Sequence, residues 1–300
     1  MYLVVSVEHL GLHPAVRRAV GSLSHEALAD ESGEVRIVSS ALLLANGPDL
    51  EPSVRASWGW RDASDAVDVG LGLELNLSHG RPLSEPDRVP GLVDGRGLFP
   101  GDSGAVLRKG LLRRLPLDQV RHEWRLQVQR VKDLGVAPTH LSTVGQVHGL
   151  PRLMALVQEL AAESEIPWVG RPLEPVSSLR FDGPAWRCRL LTLLALGHTR
   201  RTGVAWPNRS WGLAEQGAAM QAWRLVKALP GLGEHGVLEV LCRPGMAHTD
   251  DQPLDPGFTG LDRHWQSELD ALHTPDWGNL LASPGIKLRH FGQLRPKSAS

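Results

Sequence analysis

From its first residues onward the chain alternates short apolar runs of strand character with longer runs of helical period, and this alternation restricts its fold more than any other feature. Strand and helix in repeated succession build a parallel sheet with helical crossovers, because a parallel connection needs a dozen or more residues to return to the same edge. Leu3 to Val7 reads as the first strand, and Pro14, suited to the first turn of a helix, opens the crossover behind it. Further strands are expected at about Val35 to Leu44, Val69 to Leu77, Thr139 to Val147, Ile166 to Val169 and Val237 to Cys242. The clearest helix sets Leu117, Val120, Trp124, Val128, Val131 and Leu134 three or four residues apart and closes at Gly135. Others are expected around Glu51 to Trp58, Leu150 to Glu163, Leu190 to Leu194, Ala218 to Leu229 and Trp265 to Leu272.

A length of 300 residues accommodates this pattern as one α/β domain, a (β/α) barrel-like fold with mostly parallel strands. That domain is expected over 1–294, followed by a disordered tail at 295–300. Between Ser78 and Pro116 the chain is rich in Gly, Pro and charge, which marks either an excursion over the barrel mouth or a solvated insertion. The formal net charge of -1 supplies no general attraction to nucleic acid or to an anionic membrane surface, so neither is an expected partner. Cys188 and Cys242 lack metal-ligand spacing and read as buried thiols. The apolar run at Tyr2 to Val5 is too short for a signal peptide or a membrane span, and a cytoplasmic location is the expectation.

In parallel sheets and barrels the loops after successive strands converge, so ligands bind at strand ends. Those ends carry Glu8 and His9, then Asn46, Glu74 and Asn76, then His140, Ser142, Gln146 and His148, and finally Arg171 and Arg243. Each has a plain structural alternative. Glu8 and His9 suit a solvated strand end as well as a pocket, Glu74 sits in the ordinary alternation of a half-buried strand, and His140 and His148 suit hydrogen-bonded core positions. The residues by themselves stop at an α/β domain with a polar pocket.

Several segments, in order, go further. Val5-Ser6-Val7-Glu8-His9-Leu10-Gly11, Leu44-Ala45-Asn46-Gly47 and Gly72-Leu73-Glu74-Leu75-Asn76-Leu77-Ser78 are followed by Gly135-Val136-Ala137-Pro138-Thr139-His140-Leu141-Ser142-Thr143-Val144-Gly145-Gln146-Val147-His148 and by Cys242-Arg243-Pro244-Gly245. This succession resembles the YdjC-like carbohydrate deacetylases, in which the longest segment typically reads Gly-x-x-Pro-Thr-His-x-Asp-Ser-His-x-His-x-His. The resemblance implies hydrolysis of an N-acetyl group on an amino sugar by metal-bound water, with a carboxylate taking the proton. It also implies a homodimer.

Carried across position by position, the resemblance puts the base at Glu8, the aspartate ligand at His9 and the two histidine ligands at Glu74 and Val144. His148 and Arg243 fall at further catalytic positions, and Asn46, Asn76, His140 and Arg171 at positions facing a small carbohydrate or N-acetylated amino-sugar ligand. Valine carries no ligating atom, and Ser142, Gln146 and Arg243 replace an acid and histidines while the framing Gly and Pro residues persist. The expectation is therefore a family homologue with a degenerate metal site, catalytically impaired or a pseudoenzyme. The alternatives are an active hydrolase rebuilt around Glu8, His9 and Glu74, holding one divalent metal such as Mg or Zn, or a non-catalytic carbohydrate-binding protein.

Overall fold

The structure is a computed structural model that describes residues 1–25, 28–30, 33–60, 68–175, 185–200 and 203–295. Its central strand is β1 (Tyr2–Leu10), whose run of apolar residues is buried on both faces, as a parallel strand between helices and a barrel interior requires. Chain order then gives a short hairpin, β2 (Leu28–Asp30) and β3 (Gly33–Val35), followed by β4 (Ser40–Leu43), β5 (Gly70–Leu75), β6 (His140–Thr143), β7 (Trp168–Val169), β8 (Arg209–Trp211), β9 (Val237–Cys242) and β10 (Lys287–Leu288). The main sheet runs β7-β6-β5-β4-β1-β9-β8 with every neighbour parallel, and β10 lies beside the first residues of β1. The two ends of that order meet. Val169 N–H donates to the Ala205 carbonyl at 2.9 Å, Ala205 N–H to Pro167 at 3.0 Å and Ser210 N–H to Leu173 at 3.0 Å, which curls the sheet into a barrel-like form.

The helices are α1 (Pro14–His25), α2 (Leu50–Gly59), α3 (Ser103–Leu111), α4 (Leu117–Asp133), α5 (Pro151–Glu163), α6 (Ala185–Leu196), α7 (Ala222–Val226), α8 (Trp265–Leu272) and α9 (Pro275–Leu281). Strand pleating decides what each face of the sheet meets. Leu3, Val5 and Val7 of β1, Leu71, Leu73 and Leu75 of β5, and Leu238 and Val240 of β9 belong to the large apolar core shared with the helices. Their alternates point inward. Val4, Trp168, Ala205, Val237, Phe291 and Leu294 pack as a second cluster that closes one end of the barrel. Farther along the same strands come Ser6 and Glu239, and then Glu8, Glu74 and Ser142. All five are buried.

Several sequence expectations need adjustment. The fourth strand stops at Thr143 instead of Val147, because Gly145 and Gln146 both take left-handed backbone (φ 63° and 56°) and turn the chain into a short 3-10 segment, Val144–Gly149. The helix expected at Ala218 to Leu229 is two pieces, Gly217–Ala219 and α7, separated by Met220 and Gln221. Helix α3 lies inside the 78–116 excursion. Its start is set by Asp102, whose carboxylate accepts from the N–H groups of Gly104 and Ala105 at 2.8 and 3.1 Å. Residues 296–300 of the expected tail lie outside the described residues.

The beginning of the excursion is fastened from below by α4. Buried Glu123 accepts from the N–H groups of Leu83 and Ser84 at 3.0 and 2.8 Å and from the Ser84 hydroxyl at 2.6 Å. Gln127 pairs through its amide with both the N–H and the carbonyl of Asn76, each at 2.8 Å. These contacts carry the chain from the end of β5 across the barrel mouth.

Candidate functional site

At the end of β1 the chain turns sharply. His9 adopts φ 66°, an uncommon conformation for a residue with a side chain and one that gathers at functional sites. The turn brings both its Nδ1 and its backbone N–H onto Glu74 Oε2, at 2.8 and 3.0 Å. An ionised carboxylate only accepts, so Nδ1 carries the proton in that contact. Glu8, one residue earlier, takes different partners. Its Oε2 meets Arg243 Nη2 at 2.5 Å, and its Oε1 accepts from Gln146 Nε2 at 2.9 Å. Gln146 also donates to Ser142 Oγ at 3.1 Å, which joins the ends of β1 and β6. Arg243 is oriented by Glu268 of α8, which accepts from the Arg243 N–H at 2.5 Å and from the Gly217 N–H at 3.0 Å.

The charges in this group are set by burial and by one another. Burial pushes the Glu8 carboxyl up, against the opposing pull of the Arg243 guanidinium. Burial lowers the His9 imidazole, but the Glu74 carboxylate outweighs it and the net direction is upward. The Arg243 guanidinium is likewise disfavoured by burial and more than restored by Glu8, Glu268 and Glu74, so it stays charged. His79 is held at about 4 by desolvation and by the neighbouring His9, and is neutral. Burial pushes the Cys188 thiol to about 12 and Cys242 well above its ordinary value, which leaves both protonated and poorly nucleophilic.

Above the group lies a cavity of about 440 Å³ whose wall includes His9, His79, Val144, Arg187, Arg243 and Arg263. The excursion contributes Gly101, Asp102 and Ser103 to the same wall. A groove of about 520 Å³ between α4 and α5 and another of about 780 Å³ beside Asn46 are lined by different residues.

Of the residues singled out in the sequence, Glu8, His9, Glu74, Ser142, Val144, Gln146 and Arg243 come together here. The others are placed elsewhere. Asn46 donates to the carbonyls of His79 and Arg81 at 2.9 and 2.8 Å, and Asn76 donates to Asn46 Oδ1 at 2.9 Å while its own Oδ1 accepts from the Ser78 and His79 N–H groups. Together they brace the start of the excursion. His140 is buried lower in the barrel, with Nδ1 3.1 Å from Thr139 Oγ1, Nε2 3.6 Å from Glu239 Oε1 and its ring against Phe291. His148 uses both ring nitrogens, one with the Thr143 hydroxyl at 2.7 Å and one donating to the Gly170 carbonyl at 2.9 Å, and desolvation holds it at about 3. Arg171 lies over the Trp206 ring at 4.8 Å and donates to the Ala195 carbonyl.

Known proteins with the same order of segments supply the comparison. The family model described as YdjC-like protein matches residues 2–283. The chain belongs to this family. It is 27% identical to a carbohydrate deacetylase of Geobacillus stearothermophilus over 86% of this chain and 88% of that one. It is also 28% identical to a human carbohydrate deacetylase over 99% and 92% of the respective chains. A chitooligosaccharide deacetylase of Citrobacter koseri is 30% identical over 85% of this chain and 87% of its own length. Among solved structures, an Enterococcus faecalis protein whose description links it to cellobiose-phosphate cleavage superposes with a TM-score of 0.68, at 18% identity and 97% coverage of both chains. That likeness shows that the two chains share a fold.

Three residues at the YdjC-like site were not singled out in advance. Arg187 lies in a leucine-rich helix of a chain rich in arginine, so nothing local marks it. Glu268 sits in α8 as one more polar position of an amphipathic helix. Glu174 is buried behind the cavity wall, accepts from the Leu213 N–H at 2.6 Å and is pushed by desolvation to about 7. Its only sequence signal is its place just after the Gly170-Arg171-Pro172 break.

Proposed function

We propose that this YdjC-like chain is a carbohydrate deacetylase homologue that keeps a sugar-sized pocket and has given up metal-dependent hydrolysis for ligand binding. The observation that carries the reading is the 2.5 Å contact between Arg243 and Glu8. A guanidinium on the carboxylate at the base position occupies its acceptor oxygen and repels a cation. The remaining donors do not fit a divalent ion. Val144 has no lone pair to offer, and His9 Nδ1 is engaged with Glu74 Oε2 at 2.8 Å, so that the buried, unpartnered Glu74 Oε1 is left as a free acceptor, short of the three or more protein donors that a divalent site gathers. Among the described residues, no group of three or more His, Cys, Asp or Glu side chains is placed to hold a metal ion. The names of the relatives support a carbohydrate as the ligand, and the cavity of about 440 Å³ falls within the ordinary size of small-molecule sites.

Elemental analysis after dialysis against zinc, magnesium, manganese or nickel tests the reading, with Glu74→Ala as control and release of acetate from chitobiose as the activity readout. The expected result is substoichiometric metal in both proteins and no acetate above background. Stoichiometric metal lost in Glu74→Ala, with acetate release, would replace this reading by a hydrolase rebuilt around Glu8, His9 and Glu74.

A further inference from the structure

We propose that the outer face of α6, with the end of α3 beside it, docks on an anionic lipid surface. Trp186, Leu190, Leu193 and Leu196 fall on one arc of about 120° of α6, opposite the buried Cys188, Leu191, Thr192 and Ala195. A helix that is apolar on both sides is ordinarily enclosed. Here Trp186, Leu193 and Leu196 are 63%, 66% and 64% exposed, and nothing among the described residues covers them. An exposed apolar face of this kind marks a contact with a partner or a membrane.

The charges around the face select its partner. From Trp186 to Arg200 the chain carries Arg187, Arg189 and Arg200 and neither Asp nor Glu. From Ser103 to Leu117 it carries Arg108, Lys109, Arg113 and Arg114, again without an acid, and exposed Leu111 and Leu112 stand among them. The two segments are neighbours. Arg187 Nη2 donates to Ser103 Oγ at 2.8 Å and to the Gly145 carbonyl at 2.6 Å, while Leu191 packs on Gly149 and Leu150 on Gly110. The formal net charge is -1, so this acid-free surface attracts anions locally, as the chain as a whole does not. A second copy is a poor cover, because two such faces meeting about a two-fold axis set arginine against arginine with no carboxylate of either segment between them. A lipid interface needs no matching groove. It takes apolar side chains from an exposed helix face, holds tryptophan at headgroup depth and leaves arginines at the phosphates. Ser103 and Trp186 also belong to the cavity wall, so docking by this face would set the mouth of the cavity beside the headgroups.

Co-sedimentation of the full chain with vesicles of phosphatidylglycerol and phosphatidylcholine in equal parts tests this, against vesicles of phosphatidylcholine alone. The anionic vesicles are expected to bind the chain roughly ten-fold or more tightly, and the difference should shrink as salt rises from ~0.1 M to ~1 M. Leu193→Gln combined with Leu196→Gln, at exposed positions that folding does not need, should abolish binding. Arg113→Glu combined with Arg114→Glu should weaken it roughly ten-fold. Brominated phosphatidylcholine in the same vesicles should quench tryptophan emission more in wild type than in Trp186→Phe. No sedimentation with anionic vesicles would overturn the proposal, as would binding that survives loss of both leucines or quenching that Trp186→Phe leaves unchanged. Equal binding to neutral vesicles, or unchanged binding after the charge reversal, would overturn the anionic component. A dimer in analytical ultracentrifugation that the two leucine substitutions convert to monomer, without vesicle binding, would give the face to a second copy instead. Binding of polyglutamate but of no vesicle would give it to an acidic protein and likewise overturn the lipid reading.

Discussion

Arg243 Nη2 and Glu8 Oε2 stand 2.5 Å apart at the point where the family resemblance puts a metal-assisted base, and the two residues are 235 positions apart in the chain, Glu8 on β1 and Arg243 directly after the neighbouring strand β9. The pair is buried on the Glu8 side, so each charge depends on the other. Removing one partner leaves an uncompensated charge, which costs about 3–5 kcal/mol, whereas removing both costs far less. Arg243→Met and Glu8→Gln should each lower stability in urea unfolding, with the first the more severe. The double variant should recover a large part of the loss. Additive losses would show that the two side chains do not act as a pair.

Restoring a single family ligand should not restore metal binding. Val144→His adds an imidazole to the wall, but Arg243 remains on Glu8 and continues to repel a cation. Zinc content after dialysis should stay at background for Val144→His and rise only when Arg243→His and Glu74→His are added with Glu8→Asp and His9→Asp. Stoichiometric zinc in Val144→His alone would show that the ion pair is no obstacle.

His148 makes stability depend on pH in a defined window. Its folded value of about 3 lies below the 6.5 of a free imidazole, because burial and the nearby His198 disfavour the charged ring. Between those values the unfolded chain takes up a proton that the folded chain refuses. The contribution of neutral His148 is therefore complete above about pH 6.5 and is lost as pH falls toward about 3, at about 1.4 kcal/mol per pH unit. His148→Gln, which keeps a donor for the Gly170 carbonyl, should flatten urea stability over the upper part of that window. An unchanged slope would mean that other groups set it.

Glu123 should matter for the excursion more than for the barrel. It accepts from two N–H groups and a hydroxyl of Leu83 and Ser84, and from the Gln127 amide at 2.7 Å. Glu123→Leu strands those donors at about 1–3 kcal/mol each when they stay buried. Amide exchange at Leu83 and Ser84 should accelerate well beyond that of β1 and β9. Uniform acceleration across the chain would show instead that Glu123 supports the whole core.

What was legible in the sequence was whatever depends on local period. Val237–Cys242 and Trp265–Leu272 fall where their apolar spacing puts them, α4 and α5 lie within a residue of theirs, and the parallel barrel-like architecture follows from alternation that each strand and helix carries by itself. That Glu74 and Val144 stand where the resemblance puts histidine ligands was also a reading of the sequence, since it needs only the order of residues within short motifs. The pairings were not. Whether Glu8 faces solvent, an ion or Arg243 depends on which strand lies beside β1, and that neighbour comes from the far end of the chain. Whether Arg187 is a solvated helix charge or a donor at a cavity mouth depends on where the excursion and the turn at Gly145 leave Ser103 and a free carbonyl. Pleat and helical period act over a few residues and are written in the sequence. The electrostatic partner of a buried charge is chosen by the closure of the whole barrel, so only the tertiary structure decides it.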